Sequence, residues 1–198
     1  MPALSAAHID AEALAARWFA LAEAGRLSEL ALAMAVGRGR LTAARAVMQR
    51  SSEPYAAFQA ALVRGLSATQ SRVRFECAHA LDQFGDESTR RALAALMDDP
   101  VPRVRWMAMH ALSCHACGEK PGALEPDIRT RIMRAAAGDP SPQVRRHAAV
   151  ALGLAHETGA AAALDAMLER ETDAKTLRMA GWARAELDRP AKATASGL

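Results

Sequence analysis

The side chains best suited to chemistry in this chain stand close together: His110, Cys114, His115 and Cys117. The first, second and last form His-x3-Cys-x2-Cys, which puts His110 and Cys114 one helical turn apart and Cys117 in the segment that follows. Neutral imidazole and thiolate both bind zinc, and Cys-x2-Cys lets two sulfurs reach one ion, with His115 or His79 as a fourth ligand. A structural zinc site normally brings two separated ligand pairs, and no second Cys-x2-Cys or His-x3-His occurs. The same residues therefore also fit a redox-active dithiol, or a structural loop whose cysteines pack as small hydrophobes.

No other stretch carries reaction chemistry. Gly37-Arg38-Gly39 is too short for a dinucleotide fingerprint and follows a helical pattern where that fingerprint needs a strand. His156-Glu157 lacks the second histidine of a metalloprotease helix, and there is no Gly-x-Ser-x-Gly elbow. The carboxylates fall at capping and surface positions, so no acid/base pair and no catalytic residue is nominated. The expectation is a non-enzymatic protein.

The elements that position these residues are helices. Val-Arg-x-x-(Ala/Cys)-x-x-Ala-Leu occurs three times, from Val73, Val104 and Val144, in steps of 104 − 73 = 31 and 144 − 104 = 40 residues. A weaker copy starts at Leu177-Arg178, 177 − 144 = 33 residues on, with Gly181 in the small position. The 40-residue step contains an insertion, over 113–126, which holds the cysteine pair. Asp99-Pro100 and Asp139-Pro140 are expected to start the second and third motif helices, because proline forbids continuation of the helix before it. Upstream, helices are expected over about 10–24, 28–36, 42–50 and 53–66, with a break at Arg38-Gly39-Arg40.

This combination of Asp-Pro, Val-Arg, alanine four residues after the valine, Ala-Leu at seven and eight, and a period near 31 resembles HEAT-like repeat proteins, particularly the short bacterial type. The resemblance covers 55–187 and implies an all-α fold, a right-handed α-solenoid of four to five antiparallel helix pairs whose motif helices line a concave side. The expected organisation is one solenoid domain over 1–188, with divergent helices over 1–50 and a flexible tail over 189–198. In function it implies a scaffold or interaction module that binds a protein or peptide. Two alternatives stay open: some HEAT-like proteins cradle DNA, and some are lyases that attach bilins to proteins.

At about 100° per residue, motif positions 0, 4, 7 and 8 share one apolar arc, and Cys77, at position 4, reads as a small core residue. The arginines at position 1, Arg74, Arg105, Arg145 and Arg178, are either a ladder of phosphate contacts or staples between repeats. The staple reading pairs Asp99 with Arg105 and Asp139 with Arg145. Positions 2 and 6 face away from the apolar arc and hold Phe75 with His79, Trp106 with His110, Arg146 with Val150, and Met179 with Ala183. Large apolar groups there form either a partner-binding groove or the filling of a narrow one.

Bulk properties bound the rest. The composition of the 198 residues, 51% hydrophobic and only 4% aromatic, suits closely packed helices filled by Ala, Leu, Val and Met. A net charge of +3 is weak support for nucleic acid, which would call for a row of Lys and Arg at positions 2 and 6, where only Arg146 stands. The amino-terminal residues lack a signal-peptide pattern, no run reaches the ~18 apolar residues of a membrane span, and three cysteines suggest a reducing compartment. A cytoplasmic protein without a membrane partner is expected.

Overall fold

The computed structural model describes residues 10–35, 38–50, 52–114 and 124–189, and all regular structure among them is helical. The helices are α1 (Ala11–Glu23), α2 (Leu27–Met34), α3 (Arg38–Met48), α4 (Ser52–Gly65), α5 (Ser71–Phe84), α6 (Glu87–Ala95), α7 (Pro102–Ser113), α8 (Pro126–Gly138), α9 (Pro142–Leu154), α10 (Ala161–Arg170) and α11 (Ala174–Leu187). Helices near in sequence pack on one another, which is the arrangement of an all-α solenoid. The chain divides into two compact units, Met1–Ala92 and Leu93–Leu198, with the division falling inside α6. Val36, Gly37, Ser51, residues 115–123 and the expected tail from Pro190 lie outside the described residues.

In the first unit α1 packs on α2, α3 and α4, and α5 packs on α2, α3 and α4. Local signals set α1: Asp10 accepts the Ala13 N–H at 2.9 Å, and Gly25 lets the chain turn away at φ +67°. The core of this unit is filled mainly by Ala, Leu and Met, as the composition suggests, around an aromatic cluster. Trp18, Phe58 and Phe84 are fully buried, with ring centroids 6.5, 6.1 and 5.2 Å apart, and Phe19 and Tyr55 join the edge. The break expected at Arg38-Gly39-Arg40 is instead the first turn of α3. One glycine costs a helix only about 1 kcal/mol, and α3 packs on α1, α4 and α5.

In the second unit α9 sits among α7, α8 and α11, and α10 lies against α8 and α11. The two Asp-Pro pairs do not open the motif helices. Asp99 Oδ1 accepts the Val101 N–H at 2.8 Å and Asp139 Oδ1 the Ser141 N–H at 2.9 Å, so each aspartate closes a turn ahead of its helix. A second proline, Pro102 or Pro142, then begins the helix, where a missing N–H costs nothing. The core is small and aliphatic: Val104, Ala108, Ala111 and Leu112 from α7, matched by Val144, Ala148, Ala151 and Leu152 from α9, all nearly or fully buried.

Candidate interaction surface

Two of the position 1 arginines, Arg105 and Arg145, make staples between repeats, with partners that differ from those expected. Arg105 Nη1 donates to the backbone carbonyl of Asp99 at 2.8 Å, while Nε and Nη2 donate to the carboxylate of Asp139, both at 2.8 Å. Arg145 repeats the pattern one step on: Nη1 to the Asp139 carbonyl at 2.7 Å, Nε and Nη2 to the Glu171 carboxylate at 2.7 and 2.8 Å. Each guanidinium therefore holds its own turn through a carbonyl and the following repeat through a bidentate ion pair, and the expected pairing within one repeat is a backbone contact only. In the first unit Arg74 makes the same contact to its own turn, donating to the Ala68 and Thr69 carbonyls at 2.8 and 2.9 Å.

The fourth copy is in a different register from the expected Leu177-Arg178. The buried residues of α11 are Thr176, Ala180, Ala183 and Leu187, so Thr176 takes the valine's place, 176 − 144 = 32 residues on. The staple fixes the same register, because Glu171 precedes Thr176 by 176 − 171 = 5 residues, as Asp139 precedes Val144 by 144 − 139 = 5. Threonine is isosteric with valine, and its hydroxyl is satisfied by the Pro142 carbonyl at 3.0 Å and Asp173 Oδ1 at 2.6 Å. Positions 2 and 6 of α11 are then Arg178 and Trp182. Ala183 is buried, Met179 lies beside Arg178 at position 3, and Leu177, not an arginine, occupies position 1.

The outward arc of the second unit thus carries Trp106 and His110 from α7, Arg146 and Val150 from α9, and Arg178 and Trp182 from α11. Arg178 is exposed and the others are partly exposed. The Trp106 indole stacks on His147, ring centroids 4.4 Å apart and planes 15° from parallel. Burial, with the positive charge of His110 and Arg146 nearby, pushes the His147 imidazole down to about 4, so it is neutral at pH 7. On the other flank, Trp182 comes so near α9 that a Cβ at Gly153 would lie 3.0 Å from its ring. The outer face of α9, ending in Leu154, which is 36% exposed, is flanked by both tryptophans. Sequence reasoning passed over His147 and Trp182; the position of Glu171 is the signal that would have placed the second.

Phe75 and His79 belong to the first unit. Phe75 is buried, with its ring 6.1 Å from that of His79, and His79 Nδ1 lies 3.9 Å from the largely buried Glu76 carboxylate. Of the two, only His79 offers appreciable surface. Of the four zinc candidates, Cys117 and His115 lie outside the described residues. Cys114 is buried at the end of α7, its N–H bonded to the His110 carbonyl at 2.9 Å, and no group of three or more His, Cys, Asp or Glu able to hold a metal occurs among the described residues. Cys77 is a core residue as expected: it is fully buried, and burial beside Glu76 pushes its thiol up to about 12.

Two open clefts follow the staple ladder, one of about 400 Å³ lined by Asp98, Arg105, Arg131, Arg134 and Asp139, the other of about 310 Å³ lined by Asp139, Arg145, Arg170 and Glu171. Their charges are largely spent on one another. Arg131 and Arg134 both bond to Asp98, and Arg105 and Arg145 are the staples themselves. No helix among the described residues is long and apolar enough to cross a membrane.

No curated protein matches the chain. Residues 27–113, from the start of α2 to the end of α7, match the family model for HEAT repeats. Such repeats commonly mediate protein interactions and typically build scaffolds without catalytic activity of their own. The matched segment, the helical fold of the described residues and the recurring staple together support a HEAT-like repeat protein.

Proposed function

We propose that the chain is a non-enzymatic interaction module that holds a protein or peptide on the outward arc of α7, α9 and α11. The observation that carries this reading is the pair of partly exposed tryptophans, Trp106 and Trp182, flanking the outer face of α9. Tryptophan and arginine are the residues that most often dominate binding energy at protein interfaces, and Arg146 and Arg178 stand on the same arc. The aliphatic groups Val150 and Leu154 add an apolar strip on the outer face of α9. Three cysteines, one of them deep in the core, fit a reducing compartment such as the cytoplasm.

The test is capture from a lysate of the native host on immobilised wild type, Trp106→Ala and Val150→Glu. Proteins retained by wild type and lost from both variants, with helicity and melting close to wild type, are the expected result. Val150→Glu removes no ring, so it separates lost binding from lost packing. Identical retention on all three would overturn the reading.

A further inference from the structure

Resting on that interaction reading, we infer that the arc of α7, α9 and α11 takes an acidic peptide segment that carries a bulky apolar residue. Counting from the buried Val104, Val144 and Thr176, positions −1, 2, 3, 6 and 10 share an arc about 100° wide on each helix. The cations on it are Arg103 from α7, Arg146 from α9, and Lys175 and Arg178 from α11. Arg146, Lys175 and Arg178 make no ion pair within 4.0 Å among the described residues. They differ in this from the arginines of the ladder edge, Arg105, Arg131, Arg134 and Arg145, each of which has a carboxylate.

Acidic groups are nearly absent from the arc. Glu186, at its far end on α11, is held by Arg189 at 2.8 Å. Asp173 is near enough to Arg146 to feel its charge, but its carboxylate is engaged by the Thr176 N–H at 2.8 Å and the Thr176 hydroxyl at 2.6 Å. His147 is neutral and adds no charge at pH 7. A surface with unpaired cations and few free anions selects a negative partner, chiefly by excluding positive ones.

The apolar strip decides between two kinds of acidic partner. Val150 and Leu154, on the outer face of α9, give a bulky side chain somewhere to bury, which a peptide can use and a phosphodiester backbone cannot. Trp106 already has one ring face covered by His147, so that face is closed to a stacking base.

The experiment is selection of a displayed random-peptide library on the intact protein, in parallel with an Arg146→Gln/Arg178→Gln variant whose helicity matches wild type, and with duplex DNA as a separate probe. Enriched peptides should be net acidic with a large aliphatic or aromatic residue, and one of them, synthesised, should lose about tenfold in affinity on the double variant and weaken as salt is raised. Neutral peptides that bind and depend on Trp106 would overturn the acidic inference and leave the interaction reading standing. No enriched peptide, with salt-sensitive DNA binding that the double variant lacks, would overturn both. An empty selection without DNA binding would overturn the inference alone, the interaction reading being decided by the lysate capture.

Discussion

One oxygen of Glu171 does two jobs for Arg145: it receives a guanidinium hydrogen bond at 2.8 Å and accepts the N–H groups of Thr172 and Asp173, both at 2.9 Å. The carboxylate that ties two repeats together therefore also shapes the turn into α11. With the Glu171 side chain 2% exposed, loss of the arginine leaves a buried charge with backbone donors alone.

Arg145→Met is expected to destabilise the second unit by about 3 kcal/mol, measured by urea unfolding of the whole chain. Arg145→Lys should recover only part of this, because an ammonium cannot make both parallel bonds. A loss below about 0.5 kcal/mol would show that the staple holds nothing.

The same pair sets an acid limit. The Arg145 hydrogen bonds, with the Asp173 and Thr172 N–H groups, hold the Glu171 carboxyl down to about 2 from its ordinary 4.5, against the opposing effect of burial. A carboxyl depressed in the folded state contributes stability that is complete above pH 4.5 and is lost as the pH falls from 4.5 toward 2. Glu171→Gln should flatten the stability profile in that window, read by thermal melts across pH.

His147 gives a second, higher window. Its folded value, about 4 against an ordinary 6.5, means that the unfolded chain binds the extra proton first, so stability is complete above pH 6.5 and is lost as the pH falls toward 4. Because burial is the largest cause and Trp106 lies on the ring, Trp106→Ala should raise the His147 value toward 6.5. An NMR titration of the imidazole protons checks this, and an unchanged value would mean that Trp106 does not shield it.

At Gly153 the backbones of α9 and α11 approach closely. A Cβ there would lie 2.9 Å from the Ala183 Cα and 3.0 Å from the Trp182 ring. Gly153→Ala gains about 1 kcal/mol in helix propensity and should still be net destabilising by about 1–2 kcal/mol, since backbone has to move. The check is the melting temperature, together with a change in Trp182 fluorescence.

Gly65 and Cys77 test the same principle in the first unit, where a Cβ on Gly65 would fall on the Cys77 sulfur. Gly65→Ala alone should destabilise, and Cys77→Ala should relieve it, giving a favourable coupling of about 1 kcal/mol in a double-mutant cycle. Additive effects would show that the two sites do not share the space.

The second and third motif helices were legible because Val, Ala, Ala and Leu at fixed spacing leave a helix one way to bury itself. Their starting points were not, since an Asp-Pro that closes a turn and one that begins a helix look alike until the side chain's acceptor is seen. The fourth copy was misread by one residue because threonine stands in for valine, so that Leu177 looked like the anchor. That slip hid Trp182 and moved Arg178 from staple to surface. The aromatic cluster of the first unit follows no period, and only the packing of α1, α4 and α5 brings Trp18, Phe58 and Phe84 together.

The register of α11 also gives the ladder a direction. Every rung has an accepting end, the carboxylate ahead of a motif helix, and a donating end, the arginine one residue past its anchor; Asp139 and Arg145 supply both for the third repeat. A duplicate of that repeat spliced in beside the original would find both ends matched. At α11 the acceptor, Glu171, is present and the donor is not, since Leu177 stands where the arginine would be. Among the described residues α11 therefore receives a rung from α9 and offers none of its own, so the ladder reads in one direction, from donor helix to acceptor turn.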